Sequence, residues 1–324
     1  MRALVIGGSG QDGILVSAQL LSKGYEVISA SRQRSPLQAV LSEVVDISAI
    51  GVATMLIEKY TPDRIYFLAA YHRSSEDNIP DPADDLLGSL AINAVSFAET
   101  LGALRRRCPN SRTVYASSCR IFGKGDGRLL DESSTHVPEC AYGISKAAGM
   151  GAARMFRDDH GLFVASAILF NHESELRSSN FISKKLALAA LRAKVDRSHS
   201  VSVGSLDAVA DWGSARDYCQ GMTAMLDAEQ PDDFVLASGE LRSVGDFAEE
   251  CFNVVGLDWR NHVKSRGLPS FSRDWKLRGD ASRLKCKSTW RPNHNFSDMV
   301  QDLVRRTEIE KKNGQRSSDF HSYL

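Results

Sequence analysis

Met1 to Gln19, MRALVIGGSGQDGILVSAQ, decides how the rest of the chain is read. Ala3–Ile6 is a short apolar run of the kind that forms a fully buried parallel strand, and a glycine turn follows it at once. Gly7, with Gly8 beside it, allows a tight turn. Gly10 removes the side chain that would hold a pyrophosphate away from the backbone, and Gly13 lets the next helix pack close to the sheet. The N–H groups where that helix begins, at Gln11 and Asp12, then face phosphate oxygens. A strand before the glycines and an amphipathic Ile14–Leu21 after them supply the context such a turn needs, so the stretch is expected to seat a dinucleotide.

The 324 residues are 43% hydrophobic and 25% charged, which is ordinary globular material with enough apolar content for a large core. Forty basic residues balance forty acidic ones. Nothing in that balance favours a nucleic acid or an anionic membrane surface, and a small substrate is the better expectation. No charged segment followed by an apolar core opens the sequence, and no apolar run reaches the roughly 18 residues of a membrane span. The expectation is a cytoplasmic protein. Cys108, Cys119, Cys140, Cys219, Cys251 and Cys286 are scattered without CxxC pairs or neighbouring histidines, so reduced thiols and no metal site are expected.

Lys23-Gly24 stops the first helix, and Tyr25–Ser29 reads as the second strand. A carboxylate at its end would hold ribose hydroxyls and repel a 2′-phosphate; this chain offers Ser31, Arg32 and Arg34 instead, which favours NADP over NAD. The bland alternative is a basic solvated loop. Asp46, after Val44-Val45, either accepts from the adenine amino group or caps a helix starting near Ser48. Arg64–Ala70 is the next buried strand, and its small end, Ala69-Ala70, suits close approach of a cofactor. After a loop from Tyr71 to Pro82, Ala83–Arg107 has helical periodicity and Arg112–Ser117 is again a strand. Strand and helix alternating at this interval mean a doubly wound parallel α/β sheet, whose ligands lie beyond the carboxyl ends of the strands, where Ser117 and Ser118 fall.

Gly123–Pro138 reads as a loop, and a helix from about Cys140 to His160 carries Tyr142 and Lys146. Residues at i and i+4 share a helical face, so the phenol and the ammonium can meet one ligand. Lys146 would lower the pKa of Tyr142 and hold a cofactor ribose. A phenolate beside a nicotinamide can take a hydroxyl proton as hydride leaves carbon, while Ser118 donates a hydrogen bond to the same oxygen.

These features resemble the extended short-chain dehydrogenases that act on nucleotide sugars, and within them the GDP-mannose 4,6-dehydratase family. The resemblance rests on GSGQDG at Gly8–Gly13, ILFNHES at Ile168–Ser174, NFISKKL at Asn180–Leu186 and GSLDAVADWGSARDY at Gly204–Tyr218. It implies a Rossmann-type NADP-binding domain over residues 1–169, rejoined by about 204–238. It further implies a smaller C-terminal lobe over 170–203 and 239–312 that grips the nucleotide sugar, and a homodimer or homotetramer. By position Asn171 and Lys185 match substrate-contacting residues, and Arg32 matches a residue near the 2′-phosphate.

Two departures stand out. Where the family has serine or threonine, one residue and then glutamate, this chain has Ser118, Cys119 and Arg120. The family assigns C5 deprotonation and loss of the C6 hydroxyl to that glutamate, and an arginine stays protonated. Cys119 is the nearest substitute, although strand alternation would point it away; Glu132 and Cys140 are weaker candidates, and Arg120 could instead bind an anionic group of the substrate. In the second departure Ala210 stands where the family carries arginine, and SFSRDWKLRGD at Ser270–Asp280 lacks the usual Arg-Pro-Thr-Glu, leaving Arg273 or Arg278 to serve the diphosphate.

In the outer part, Leu186–Ala193, Ser214–Ala228, Ser243–Val255 and Phe296–Arg306 read as helices, and Phe234–Ala237 as a strand rejoining the main sheet. Trp212, Trp259, Trp275 and Trp290 are expected in the core rather than stacked on a base, and 313–324 as a loose tail. The sequence thus describes an NADP-dependent nucleotide-sugar enzyme that starts by oxidising C4 and then acts as a 4,6-dehydratase. The alternatives are a 4-epimerase, a 4-keto reductase, or a non-catalytic dinucleotide-binding protein.

Overall fold

The computed structural model describes residues 1–72, 81–267, 275–314 and 316–324. Its centre is a seven-stranded sheet in the order Asp233–Leu236, Phe163–Leu169, Arg112–Ser118, Arg64–Phe67, Arg2–Ile6, Glu26–Ser31, Leu41–Val44. All six pairings are parallel. The opening strand lies between the two halves, so the glycine turn sits where the strand order reverses, the crevice in which open α/β sheets bind ligands. Ala3, Leu4, Val5 and Ile6 are fully buried.

The helix after the turn is Gln11–Ser22. Gly7 has φ +91°, and a Cβ on it would stand 2.6 Å from the Ala69 nitrogen; one on Gly13 would stand 2.4 Å from the Gly7 oxygen. Fold geometry therefore demands both glycines. Gly10 differs, since its Cβ would meet only the Gly7 oxygen, at 3.4 Å. Packing alone does not require glycine there, and open space for a ligand does.

The expected helix over Ala83–Arg107 is three pieces: Pro82–Leu90, a π turn at Ala91–Val95, and Ser96–Arg107. Within the 26 residues of Pro82–Arg107 an 18-residue window has a mean hydropathy of 1.3, long and apolar enough for a membrane span by composition alone. The segment nevertheless buries Phe97, Leu101 and Leu104 in the sheet core, as a crossover helix does. The π turn presents Asn93, fully buried. Its side-chain oxygen accepts from the Tyr71 backbone N–H at 3.0 Å, its amide donates to Ser145 Oγ at 2.9 Å, and its carbonyl accepts from the Tyr115 hydroxyl at 2.6 Å.

Around Leu186, Trp212, Val244, Phe247, Met299 and Leu303 a second apolar core forms, from the helices Ile182–Val195, Val244–Asn253 and Phe296–Asn313. The strand Val209–Ser214 joins it to the sheet side through Asn171–Glu173 and also pairs with Leu241–Ser243. Trp212 packs on Phe247 and Trp290 is 5% exposed, so both are core residues. Asp233–Leu236 rejoins the main sheet beside Phe163–Leu169.

Two expectations give way. The glycine-rich stretch after Gly123 contains a strand, Gly125–Leu130, paired in parallel with Trp275–Gly279. A Cβ on Gly125 would stand 2.7 Å from the Lys276 oxygen, so the residue that suggested a loop is what admits the partner strand. The end of the chain is not loose: Phe320–Tyr323 forms a short turn, Tyr323 is 5% exposed within the sheet-domain core, and its hydroxyl donates to the Ser317 carbonyl.

Replacing Asn93 by Ala removes the partner of the half-buried Tyr71 N–H, leaves a fully buried cavity beside Ser145, and frees the loop behind it. The expected loss is about 2–3 kcal/mol in urea unfolding; a change below about 0.5 kcal/mol would show that the amide does not organise this junction.

Candidate functional site

The strand Arg112–Ser118 ends on Ser118, and residues Cys119–Phe122 turn at once into a 3-10 helix. Two glycines bring the helix Ala141–His160 down onto this strand end. A Cβ on Gly143 would stand 2.5 Å from the Arg120 oxygen, and one on Gly149 would stand 2.2 Å from the Tyr115 hydroxyl. Tyr142 and Lys146 are thereby carried against the strand that ends in Ser118. Lys146 is 1% exposed, donates to the Ala116 carbonyl at 2.7 Å, and lies 5.6 Å from the Tyr142 ring centre. The three residues expected to form a catalytic set are brought together.

The electrostatics differ from the sequence reading. Burial holds the Tyr142 phenol well above its ordinary pKa, and the neighbouring Cys119 adds to this; Arg177 and the Ser118 hydroxyl favour the phenolate. Burial also pushes Lys146 down to about 7. The lysine is thus no fixed cation here, and the guanidinium of Arg177 is the charge that helps Tyr142 ionise. Arg177 is anchored by Glu173 at 2.9 Å and by the His172 carbonyl at 3.0 Å, and it lies over the Phe181 ring at 4.5 Å.

His72, which no spacing in the sequence singled out, belongs to the site. Its ring meets Tyr142 edge-on at 4.7 Å and stacks on Phe181 at 5.4 Å. Solvent reaches it from the open cleft, yet protein surrounds it at depth. That burial, with Arg177, Arg120 and Lys146 nearby, lowers it to about 3, so the imidazole is neutral.

Arg120 is half-buried, with its guanidinium 4.2 Å over the Trp275 ring and, among the described residues, no carboxylate partner. The candidate replacements for the family glutamate are otherwise engaged. Cys119 lies in the 3-10 turn rather than a strand, so alternation does not direct it; it is 5% exposed, and burial raises its thiol to about 11. Glu132 accepts from the Val235 N–H at 2.7 Å and pairs with Arg283 at 3.2 Å, away at the sheet edge. Cys140 caps the Tyr142 helix by accepting from the Gly143 N–H at 3.3 Å.

The glycine turn fits a dinucleotide: Gly10 leaves room, and the helix it caps has no side-chain cap, which leaves its first N–H groups for phosphate. Ala69 and Ala70 follow the strand Arg64–Phe67 beside Gly7. Arg32 is exposed at the end of Glu26–Ser31, close enough for its charge to act on Asp46. Asp46 closes a turn by accepting from the Ser48 N–H and hydroxyl, and the following helix starts later, at Val52.

The side chains of Gln11 and Asp12 turn the other way. Gln11 donates to the His172 carbonyl at 3.1 Å and accepts from Ser174 Oγ at 2.9 Å; Asp12 pairs with His172 at 3.0 Å. Only their backbone is left for phosphate, while the side chains clamp the glycine turn to the segment that begins with Asn171. Lys185 is half-buried on the helix Ile182–Val195. Arg278, on Trp275–Gly279, has a buried Nε with no partner among the described residues. Arg273 lies outside them. Among the described residues no cluster could hold a metal ion.

The family model described as GDP-mannose 4,6 dehydratase matches residues 4–303. GDP-mannose 4,6 dehydratase 1 of Arabidopsis thaliana is 32% identical over 93% of this chain and 88% of its own length. The GDP-mannose 4,6 dehydratase of Homo sapiens is 30% identical over 93% and 90%. Two solved structures share the fold. UDP-glucose 4-epimerase of Thermus thermophilus, in complex with NAD, has a TM-score of 0.81 at 19% identity, covering 95% of this chain and 99% of its own. dTDP-glucose 4,6-dehydratase of Bacillus anthracis, also with NAD, has a TM-score of 0.81 at 16% identity, covering 96% and 98%.

The Asp12–His172 clamp makes stability depend on pH in a defined direction. Burial opposes both charges, but each partner overcomes it for the other, so Asp12 falls to about 2 and His172 rises. The aspartate's share is present above its ordinary 3.8 and lost as pH falls through about 2; the histidine's is present below its ordinary 6.5 and lost as pH rises through its folded value. Asp12→Asn is therefore expected to cost about 1–2 kcal/mol near pH 5, with the difference shrinking toward pH 8 in thermal melts. A difference that stays flat with pH would contradict the clamp.

Proposed function

This chain belongs to the GDP-mannose 4,6-dehydratase family, and from that premise we propose that it is an NADP-dependent enzyme that oxidises C4 of a nucleotide-linked sugar, GDP-mannose or a relative of it. A nicotinamide dinucleotide held at the glycine turn would supply the hydride acceptor. Tyr142 takes the proton of the C4 hydroxyl, Arg177 stabilises the phenolate that this requires, and Ser118 donates a hydrogen bond to the same oxygen. Lys146, fully buried 5.6 Å from the Tyr142 ring, would hold a ribose hydroxyl. The intact set of Ser118, Tyr142 and Lys146 argues against a non-catalytic role. Arg32 supports NADP over NAD through the 2′-phosphate.

One observation supports re-reduction of the 4-keto sugar over water loss: Arg120 lies over Trp275, with no free carboxylate among the described residues beside Tyr142. Water loss needs a base at C5 and an acid at C6. Arg120 is neither, Cys119 is held as a thiol, and His72, at about 3, is too weak a base to draw a proton from carbon. We therefore favour re-reduction at C4, giving a 4-epimerase or 4-keto reductase, over the 4,6-dehydratase outcome. Exposed Leu87, Val95, Ile144 and Met155 on the helices Pro82–Arg107 and Ala141–His160 support self-association as a homodimer or homotetramer.

Turnover of GDP-mannose and other nucleotide sugars in deuterated water tests the reading. Label is expected to stay out of C6, with no 6-deoxy-4-keto product; such a product would establish dehydration. Tyr142→Phe is expected to cut kcat by about 10³-fold while leaving the NADPH dissociation constant within about twofold. Arg32→Ala is expected to weaken NADPH by about tenfold and leave NADH unchanged in fluorescence titrations; equal losses for both would remove the case for NADP.

A further inference from the structure

We propose that the substrate is a nucleotide-linked uronic acid, whose C6 carboxylate is received by Arg120. The inference rests on the reading that the cleft oxidises C4 and names the sugar it acts on.

Among the described charged groups closest to Tyr142, Asp12 and Arg177 are each paired and Lys146 is pushed down by burial. Asp12 is compensated by His172 at 3.0 Å, and Arg177 by Glu173 at 2.9 Å. His72 is neutral. What remains is a half-buried guanidinium two residues beyond Ser118, without a counter-charge among the described residues. A cation drawn partly out of water and left uncompensated is costly, and the missing partner is an anion that arrives with the ligand. Trp275 holds the guanidinium by its face at 4.2 Å, which leaves the N–H edges free for the forked hydrogen bonds that suit a carboxylate.

Sugar geometry says which anion this is. Ser118 and Tyr142 fix the C4 oxygen. The nucleotide diphosphate leaves from C1, across the ring, so a cation in the same turn as Ser118 is not serving it. The carbons next to C4 are C3, which carries a hydroxyl, and C5, which carries C6. Of these positions only C6 can bear a carboxylate. A uronic acid has no hydroxyl at C6 to eliminate, which agrees with a cleft whose described residues offer no base for that step. The sequence of events balances without a further reactant: C4 loses a hydride and its hydroxyl a proton, and both return when C4 is reduced again, with the carboxylate carried through unchanged.

Titration calorimetry in the presence of NADPH, with two matched pairs that differ only at C6, tests this: GDP-mannuronate against GDP-mannose, and UDP-glucuronate against UDP-glucose. In at least one pair the uronate is expected to bind tenfold or more tightly than its neutral parent. Arg120→Gln should abolish that preference without weakening the neutral sugar, and Arg120→Lys, which keeps the charge but not the fork, should restore part of it. Neutral sugars binding as well as the uronates in both pairs, neither uronate binding, or a preference that survives in Arg120→Gln while that variant keeps the wild-type melting temperature, would each overturn the proposal. Failure of the C4-oxidation reading looks different: Tyr142→Phe would turn over like wild type when the product sugar is followed by NMR, while the uronate preference persisted.

Discussion

One buried amide holds the site in register. Asn93 stands in a π turn, and its three hydrogen bonds reach Tyr71, Ser145 and Tyr115. These belong to the loop that carries His72, the helix that carries Tyr142 and Lys146, and the strand that ends in Ser118. An α-helical turn would point this residue elsewhere; the extra residue of a π turn rotates it inward, which is why such irregularities recur at functional sites. The dependence is steep because Asn93, Ser145 and Tyr115 are all fully buried and linked through this one residue.

Around that junction the interior tolerates several ionisable groups by neutralising nearly all of them. Asp12 and Glu173 each face a cation, and Lys146 is pushed toward neutrality. Arg120, over Trp275 and without a carboxylate partner among the described residues, and the Tyr142 phenol are the groups left available for chemistry. Preorganisation of this kind fixes the charges before a ligand arrives, so little rearrangement is needed when one does.

The parts of this arrangement legible in the sequence were those set by local rules. A run of apolar residues makes a central strand, three glycines make the turn, and the i, i+4 spacing of Tyr142 and Lys146 puts both on one face. What was not legible depends on partners distant in the chain. Gln11 and Asp12 were read for their backbone N–H groups, and the spacing gave no sign that their side chains clamp the turn to His172 and Ser174. His72 sat in an uninformative loop, and its place beside Tyr142 is set by Asn93. Gly125 read as a loop residue, because the partner strand that needs its small size comes some 150 residues later. Lys146 looked like the tuning charge because burial cannot be judged from spacing; the structure gives that part to Arg177.

The docked C-terminus closes a circle. Arg316 reaches the Ser9 carbonyl at 3.5 Å and the Leu176 carbonyl at 3.3 Å, while the Ser318 carbonyl accepts from the Gln38 N–H and Tyr323 enters the core beside the first helix. Residues 316–323 therefore form part of the outer wall of the glycine turn and of the helix that follows it. Contacts of such long sequence separation slow folding, since a large loop must close before they form. Removing residues 316–324 would leave that wall open and uncover the apolar surface that Tyr323 covers.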